Sequence, residues 1–304
     1  MTAPSPGAAG ASAPAAWLPA LCLVVVGGLL GVTASVVKLA LVGGWQPIAF
    51  LFWTCLGGGV LLLAAALAAG RRPGLGGAHL AYYLIAGILS FAVPNALGFL
   101  AIPHVGAGFV ALCLAFPPLI TYGLALVLRM DRLVWLKVLG LVLGLGGAGI
   151  LAVAKGSSDT APLGWVLAAL ASPVIIATGN IYRSRFWPAG ASPLALAPGM
   201  LLGAAVVLGV GATAAGVPLA PLMPATTAFW LAPLQAAIFA LTYGFYFLLQ
   251  HLSGPVYLSQ IGWVGACLGA AAAVVLTGEP VPPALAFAAP VVIAGILLTS
   301  RGGR

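Results

Sequence analysis

The sequence predicts an all-α integral membrane protein: ten transmembrane helices arranged as two inverted five-helix repeats, with both termini in the cytoplasm. Three observations carry this. Ten apolar stretches fill the 304-residue chain, each roughly the twenty residues that a helix needs to cross a bilayer core at about 1.5 Å per residue. Charge is nearly absent: 63% of the residues are hydrophobic and 5% charged, whereas a soluble domain carries about a quarter charged residues. The second five stretches echo the first five, and an odd number of crossings per half sets the halves upside down relative to each other, as in many secondary carriers.

Residues 1–16, rich in Ala, Pro, Ser and Gly, lack the basic opening of a cleavable signal peptide and read as a disordered tail. The spans follow at 17–39, 47–69, 80–101, 105–128, 134–154, 163–186, 193–216, 229–250, 255–276 and 282–300, and 301–304 form a cytoplasmic tail. Short loops join them, marked by Arg71-Arg72-Pro73-Gly74, Gly156-Ser157-Ser158-Asp159 and Gly278-Glu279-Pro280. The first repeat therefore covers 17–155 and the second 156–300. Prolines and glycines within the spans do not break this reading, because neighbouring helices satisfy the freed backbone groups.

Orientation follows from the cations. A cytoplasmic N-terminus puts Arg71, Arg72, Arg129, Arg132, Lys137, Arg183, Arg185, Arg301 and Arg304 on the inner side, and Lys38 and Lys155 on the outer. That is a strong positive-inside bias. Trp17, Trp45, Trp135, Trp165, Trp187 and Trp230 fall near span ends as an interfacial belt, while Trp53 and Trp263 lie well inside.

Composition also excludes. The net charge of +8 does not read as a nucleic-acid surface, because the basic residues stand singly or in pairs between apolar runs. Cys22, Cys55, Cys113 and Cys267 are isolated in apolar segments and read as buried small residues. No nucleophile–base pair, metal-ligand spacing or paired carboxylate occurs inside a span, so no enzyme, metal or cofactor is expected.

The repeat is visible residue by residue. Thr33-Ala34-Ser35-Val36-Val37-Lys38 matches Thr178-Gly179-Asn180-Ile181-Tyr182-Arg183, Tyr82-Tyr83 matches Phe229-Trp230, and His104 matches His251. Asp131 and Glu279 precede the fifth and tenth spans, where Gly147 corresponds to Gly295. The first half also carries Leu114-Ala115-Phe116-Pro117-Pro118 in its fourth span and a glycine-rich fifth span from Gly140 to Gly149. In these features, over about residues 17–300, the chain resembles the drug/metabolite transporter superfamily in its EamA-type branch. The second half departs from the pattern, with Val264-Gly265 where the proline would stand. Within the superfamily the chain is most similar to YddG-type exporters of aromatic and other amino acids. The resemblance implies a multi-pass protein of the bacterial inner membrane that moves a small-molecule substrate, an amino acid.

In inverted-repeat carriers the substrate binds near the midplane between the halves, where polar groups are costly unless they face a cavity or a partner. The eighth span carries Gln235, Phe239, Thr242, Tyr246 and Gln250 at intervals of three or four, on one helical face. The matching face of the third span carries Phe91, Asn95 and Phe99, so that Asn95 corresponds to Thr242 and Phe99 to Tyr246. Gln260 and Trp263 share a face of the ninth span, and Ser35 and Asn180 are the small polar residues of the first and sixth. The substrate-binding candidates are thus Asn95, Phe99, Gln235, Thr242, Tyr246, Gln260, Trp263, Ser35 and Asn180. Lys38 and Arg183 sit at opposite mouths, either as cations snorkelling to the interface or as attractors of a substrate carboxylate. Asp131 and Glu279 read as caps or tethers of the fifth and tenth spans. Gly140, Gly144 and Ala148 form a close-packing face, within the chain or between subunits. A monomer suffices for this architecture; the sequence leaves the oligomeric state open.

The chain's three acids, Asp131, Asp159 and Glu279, all lie outside the spans. Proton-coupled export of cationic drugs commonly uses an intramembrane carboxylate, and phosphate carriers need clustered cations. Neither is present. The expectation is uncoupled export of neutral zwitterions by alternating access, hinged at Pro94, Pro117, Pro118, Pro173 and Gly262. Export of another neutral metabolite or a drug, and a non-transporting membrane subunit, stand as alternatives.

Overall fold

The computed structural model of the chain describes residues 17–98, 100–101, 104, 113, 116–154, 163–224, 226–277, 283 and 285–301, and is helical throughout apart from short connections. Its helices are α1 (Leu18–Val42), α2 (Pro47–Ala68), α3 (Gly77–Gly98), α4 (Pro117–Val127), α5 (Trp135–Ala154), α6 (Leu163–Arg185), α7 (Pro193–Ala214), α8 (Leu231–Ser259), α9 (Ile261–Thr277) and α10 (Leu285–Arg301). They start where the sequence supplies starts. Pro47, Pro117 and Pro193 stand at first-turn positions, where a missing N–H costs nothing. Ser192 caps α7, its Oγ accepting from the Ala195 N–H at 3.3 Å.

Among the described residues, α1, α2, α3, α6, α7 and α8 are long and apolar enough to cross a membrane. Pro117–Val127, Trp135–Gly147 and Ala289–Thr299 are shorter apolar helices. The outward faces are apolar too: Val42, Val127 and Val275 are each about 80% exposed, which lipid tolerates and water does not.

The helices pack in exchanging pairs. α2 packs on α7 and α5 on α10; α1 packs on α9 as α4 does on α6, and α2 on α8 as α3 does on α7. Replacing each helix by the one five places on turns each of these pairings into itself or into another of the set. One core joins α1, α2, α3, α7, α8 and the start of α9 around Phe91, Met200 and Phe247. Another joins α4, α5, α6, α9 and α10, with Val256 of α8, around Tyr122, Leu141 and Trp263. Gly140 lies against Gly295 and Thr299 of α10, and Gly144 lies under the Trp263 ring. At these two positions the small-residue face of α5 therefore packs within the chain; the side chain of Ala148 lies outside the described residues.

Two irregularities shape the interior. Residues Ile88–Ala92 of α3 are π-helical, with the Val93 N–H bonded to the Ile88 carbonyl. Pro94 supplies no N–H to the turn before it, so the wider register places the defect where a regular bond is already lost. The second lies at Gly254, whose φ of 73° and ψ of −178° divide α8 just before Pro255. This is where the sequence separates the eighth and ninth spans. The observed break is thus Gly254, whereas Gly262 lies within α9 and Pro173 within a continuous α6. A Cβ at Gly254 meets no atom within 4 Å, so Gly254→Ala isolates the backbone effect. It is expected to cost about 1–3 kcal/mol, read as a lower melting temperature of the detergent-solubilised protein.

Candidate functional site

α6 ends in two arginines two residues apart, about 200° around the helix from each other. Only one can face the surface. Arg185 takes that place and is exposed, whereas Arg183 is 0% exposed. Of the two sequence readings of Arg183, the buried side chain does not fit a cation snorkelling to the interface: it runs inward against α3 and α8, which offer it polar acceptors.

Those acceptors are neutral. The Arg183 Nε donates to Gln250 Oε1 at 2.7 Å, and Nη2 donates to Asn180 Oδ1 at 2.8 Å and to the Tyr246 hydroxyl at 2.6 Å. Nη1 meets the Ser90 hydroxyl. The guanidinium carbon stands 4.8 Å from the centre of the Tyr246 ring and 5.9 Å from that of Phe247, close enough for cation–π attraction. A second tier holds the acceptors in place. Tyr246 donates to Asn180 Oδ1 at 3.1 Å, and Gln250 Nε2 donates to the Asn180 carbonyl at 3.0 Å and to Ser184 Oγ at 2.8 Å. Asn180 Nδ2 reaches Thr121 Oγ1 of α4 at 3.4 Å. No carboxylate among the described residues pairs with Arg183; Asp131 is bound by Lys137 Nζ at 2.8 Å and by the Arg132 N–H at 2.7 Å. Asp131 thus tethers the start of α5, as its position in the sequence implies.

The close approach of α6 to the π-helical turn of α3 depends on Gly179. A Cβ there falls 2.5 Å from Ser90 Oγ and 3.1 Å from the Leu89 backbone carbon. Gly179→Ala is expected to push the two helices apart at a cost of about 1–3 kcal/mol, seen as a lower melting temperature of the detergent-solubilised protein.

A polar run continues along α8 towards its N-terminus. Thr242 and Gln235 are both 0% exposed. Gln235 Nε2 donates to Thr33 Oγ1 of α1 at 2.9 Å, while Gln235 Oε1 and Thr242 Oγ1 find no partner among the described residues. Aromatic rings line the same stretch: Phe91 of α3 meets Phe239 and Tyr243 with centroids 5.1 and 5.3 Å apart, and Tyr243 meets Tyr246 at 5.4 Å. Beyond the α8 break, Gln260 is 0% exposed, with neither side-chain polar atom bonded among the described residues, and Trp263 is equally buried. Such orphaned polar groups are uncommon in a folded interior.

The structure thus brings Asn180, Arg183 and Tyr246 together in one network, and places Gln235 and Thr242 on the same α8 face. Ser35 is buried in α1 and Lys38 exposed near its end. Asn95 is half-buried and turns back on its own helix, its Nδ2 donating to the Phe91 carbonyl at 2.8 Å. Phe99 lies outside the described residues. Sequence reasoning missed Ser90 and Thr121, and did not raise Gln250 from the α8 stripe to a site residue. Gln250 was reachable, since it stands one turn from Tyr246 on the α8 face that carries the other candidates. Two clefts, of about 330 Å³ beside Arg71, Arg72 and His79 and about 220 Å³ beside Asp131 and Gly254, are lined by none of the candidates.

The described helices are apolar outside and carry a buried polar run within. Residues 17–153 match the model of the EamA-like transporter family. This EamA-like match covers a little under half of the chain and, with the apolar helices, marks a multi-pass membrane protein similar to transporters of small molecules. A solved crystal structure superposes with a TM-score of 0.70 at 22% identity, covering 91% of this chain and 95% of that one. At that identity the likeness shows the fold alone. No curated protein matches the sequence significantly.

Proposed function

We propose that the chain is an exporter of amino acids, aromatic and other neutral zwitterions, working by alternating access without ion coupling. One observation carries this reading: the buried polar and aromatic run along α8 that ends on the Arg183 network, in an interior whose sequence supplies no acid to a span. A neutral lining with aromatic walls suits an uncharged tail, and a single cation suits one carboxylate; the setting offers neither a cluster for phosphate nor a carboxylate for a cationic drug. In this reading ten spans form two inverted halves, and the exchanging helix pairs support it. Asn95, Gln235, Thr242, Gln260 and Trp263 line the path, with Ser35 beside it, and Lys38 stands at the outer mouth. The halves rock about the path, and flow follows the solute gradient outward.

The test is uptake of labelled phenylalanine, tryptophan, threonine and a cationic dye into liposomes holding the purified chain, with and without a proton gradient. Amino-acid flux above empty vesicles, insensitive to the gradient, is the expected outcome. Flux of the dye alone would replace the substrate class, and strong proton dependence would replace the uncoupled mechanism.

A further inference from the structure

The Arg183 network does two things at once. It holds a buried guanidinium without a carboxylate among the described residues, and it ties α6 and α8 to α3 through Ser90. A buried arginine is charged at any physiological pH, and neutral amide and hydroxyl acceptors solvate it less well than a carboxylate does. The four neutral bonds therefore form a site whose best ligand lies outside the chain.

Resting on the transport reading above, we infer that Arg183 is the carboxylate-recognition residue of the path, and that a solute carboxylate competes with Ser90, Gln250, Asn180 and Tyr246 for its N–H groups. The fork of a guanidinium matches a carboxylate with two parallel bonds, and the Tyr246 and Phe247 rings shield the pair from water. Loss of the Ser90 bond to the solute loosens the tie between α3 and the α6–α8 pair. Occupation by an acid and release of that tie are then a single event. Ser90 is the partner to watch, because it stands on the π-helical turn of α3 while Asn180, Tyr246 and Gln250 all belong to α6 and α8. The consequence for specificity is definite: the site recognises the carboxylate, and the amino group contributes little.

The experiment compares competitors of labelled phenylalanine flux in vesicles: phenyllactate and phenylpyruvate, which keep the carboxylate and lack the amine, against phenylalaninamide and phenethylamine, which lack the carboxylate. In parallel, the purified protein in detergent is melted with phenyllactate or phenylalaninamide. The acids are expected to compete at least about tenfold better than the amide and amine, one charge-assisted contact corresponding to that factor. Arg183→Gln is expected to erase the difference, Arg183→Lys to keep part of it, and Ser90→Ala to strengthen acid competition without helping the amide. Flux with equal competition by acids and amides, or an acid preference that survives Arg183→Gln, overturns the inference and leaves the transport reading standing. No flux but an acid-specific thermal shift, absent in Arg183→Gln, overturns the transport reading and supports the carboxylate site. Neither flux nor shift overturns both. If Arg183→Gln does not fold, the acid-to-amide ratio of Ser90→Ala decides: an unchanged ratio counts against the inference.

Discussion

Arg183→Met is expected to lower amino-acid flux by about ten- to a hundredfold, the range spanned by a lost charge-assisted contact of about 1.5–3 kcal/mol. Arg185→Met, two residues on, is expected to stay within about twofold, since an isolated exposed charge contributes little. The pair is informative because both changes remove one positive charge from the same turn of α6. They differ in burial and partners alone: Arg183 is enclosed by Ser90, Asn180, Tyr246 and Gln250, and Arg185 faces outward. A structural role for Arg183 would appear as aggregation or a broadened size-exclusion profile. A role in solute recognition appears as lost flux in a protein that still elutes as a single species.

The second large effect is of opposite sign. Gln260→Leu is expected to stabilise the protein by about 1–3 kcal/mol, the burden of a buried polar group without a partner, while reducing flux. Gln260 is fully buried and neither of its amide atoms finds a bond among the described residues, and leucine occupies a similar volume. Stabilisation bought with lost function is the mark of a residue kept for its ligand. A lower melting temperature would instead give Gln260 a structural bond. Thr242→Val repeats the logic on α8, where the hydroxyl also has no partner among the described residues.

Much of the fold is legible in the sequence because bilayer thickness and the cost of bare backbone leave few choices. The breaks at Gly70 to Gly76, at Pro188 to Ser192 and at Gly254-Pro255 all fall where turn residues interrupt apolar runs. Side-chain destinations are less legible, because a helix shows which residues share a face and not which neighbour that face meets. Arg183 and Arg185 are equally good interfacial cations by sequence. The choice is made by Ser90, 93 positions away, and Gln250, 67 positions away. Trp45 illustrates the same limit: at a span end it reads as part of an interfacial belt, yet it is 4% exposed and its Nε1 donates to the Ala228 carbonyl at 2.8 Å. Trp53, read as interior, is partly exposed and donates to the Leu219 carbonyl at 2.8 Å. The loop that supplies this acceptor has no apolar period to announce where it folds.

The repeat marks Asn95 with Thr242 as equivalent positions, and the side chains treat them differently. Asn95 has an amide long enough to cap its own helix at Phe91, next to the carbonyls disturbed by Pro94. The Thr242 hydroxyl has no partner among the described residues. The two positions correspond by sequence alone; the local backbone decides what each polar group does there.

The most direct test of the account is counterflow. Vesicles holding the purified chain are loaded with unlabelled phenylalanine at millimolar concentration and diluted into trace labelled phenylalanine. The expected result is transient accumulation of label above its outside concentration, with no ion gradient imposed, abolished when unlabelled phenylalaninamide replaces phenylalanine inside. Label that never exceeds the level in empty vesicles would contradict the claim that this chain is an amino-acid carrier.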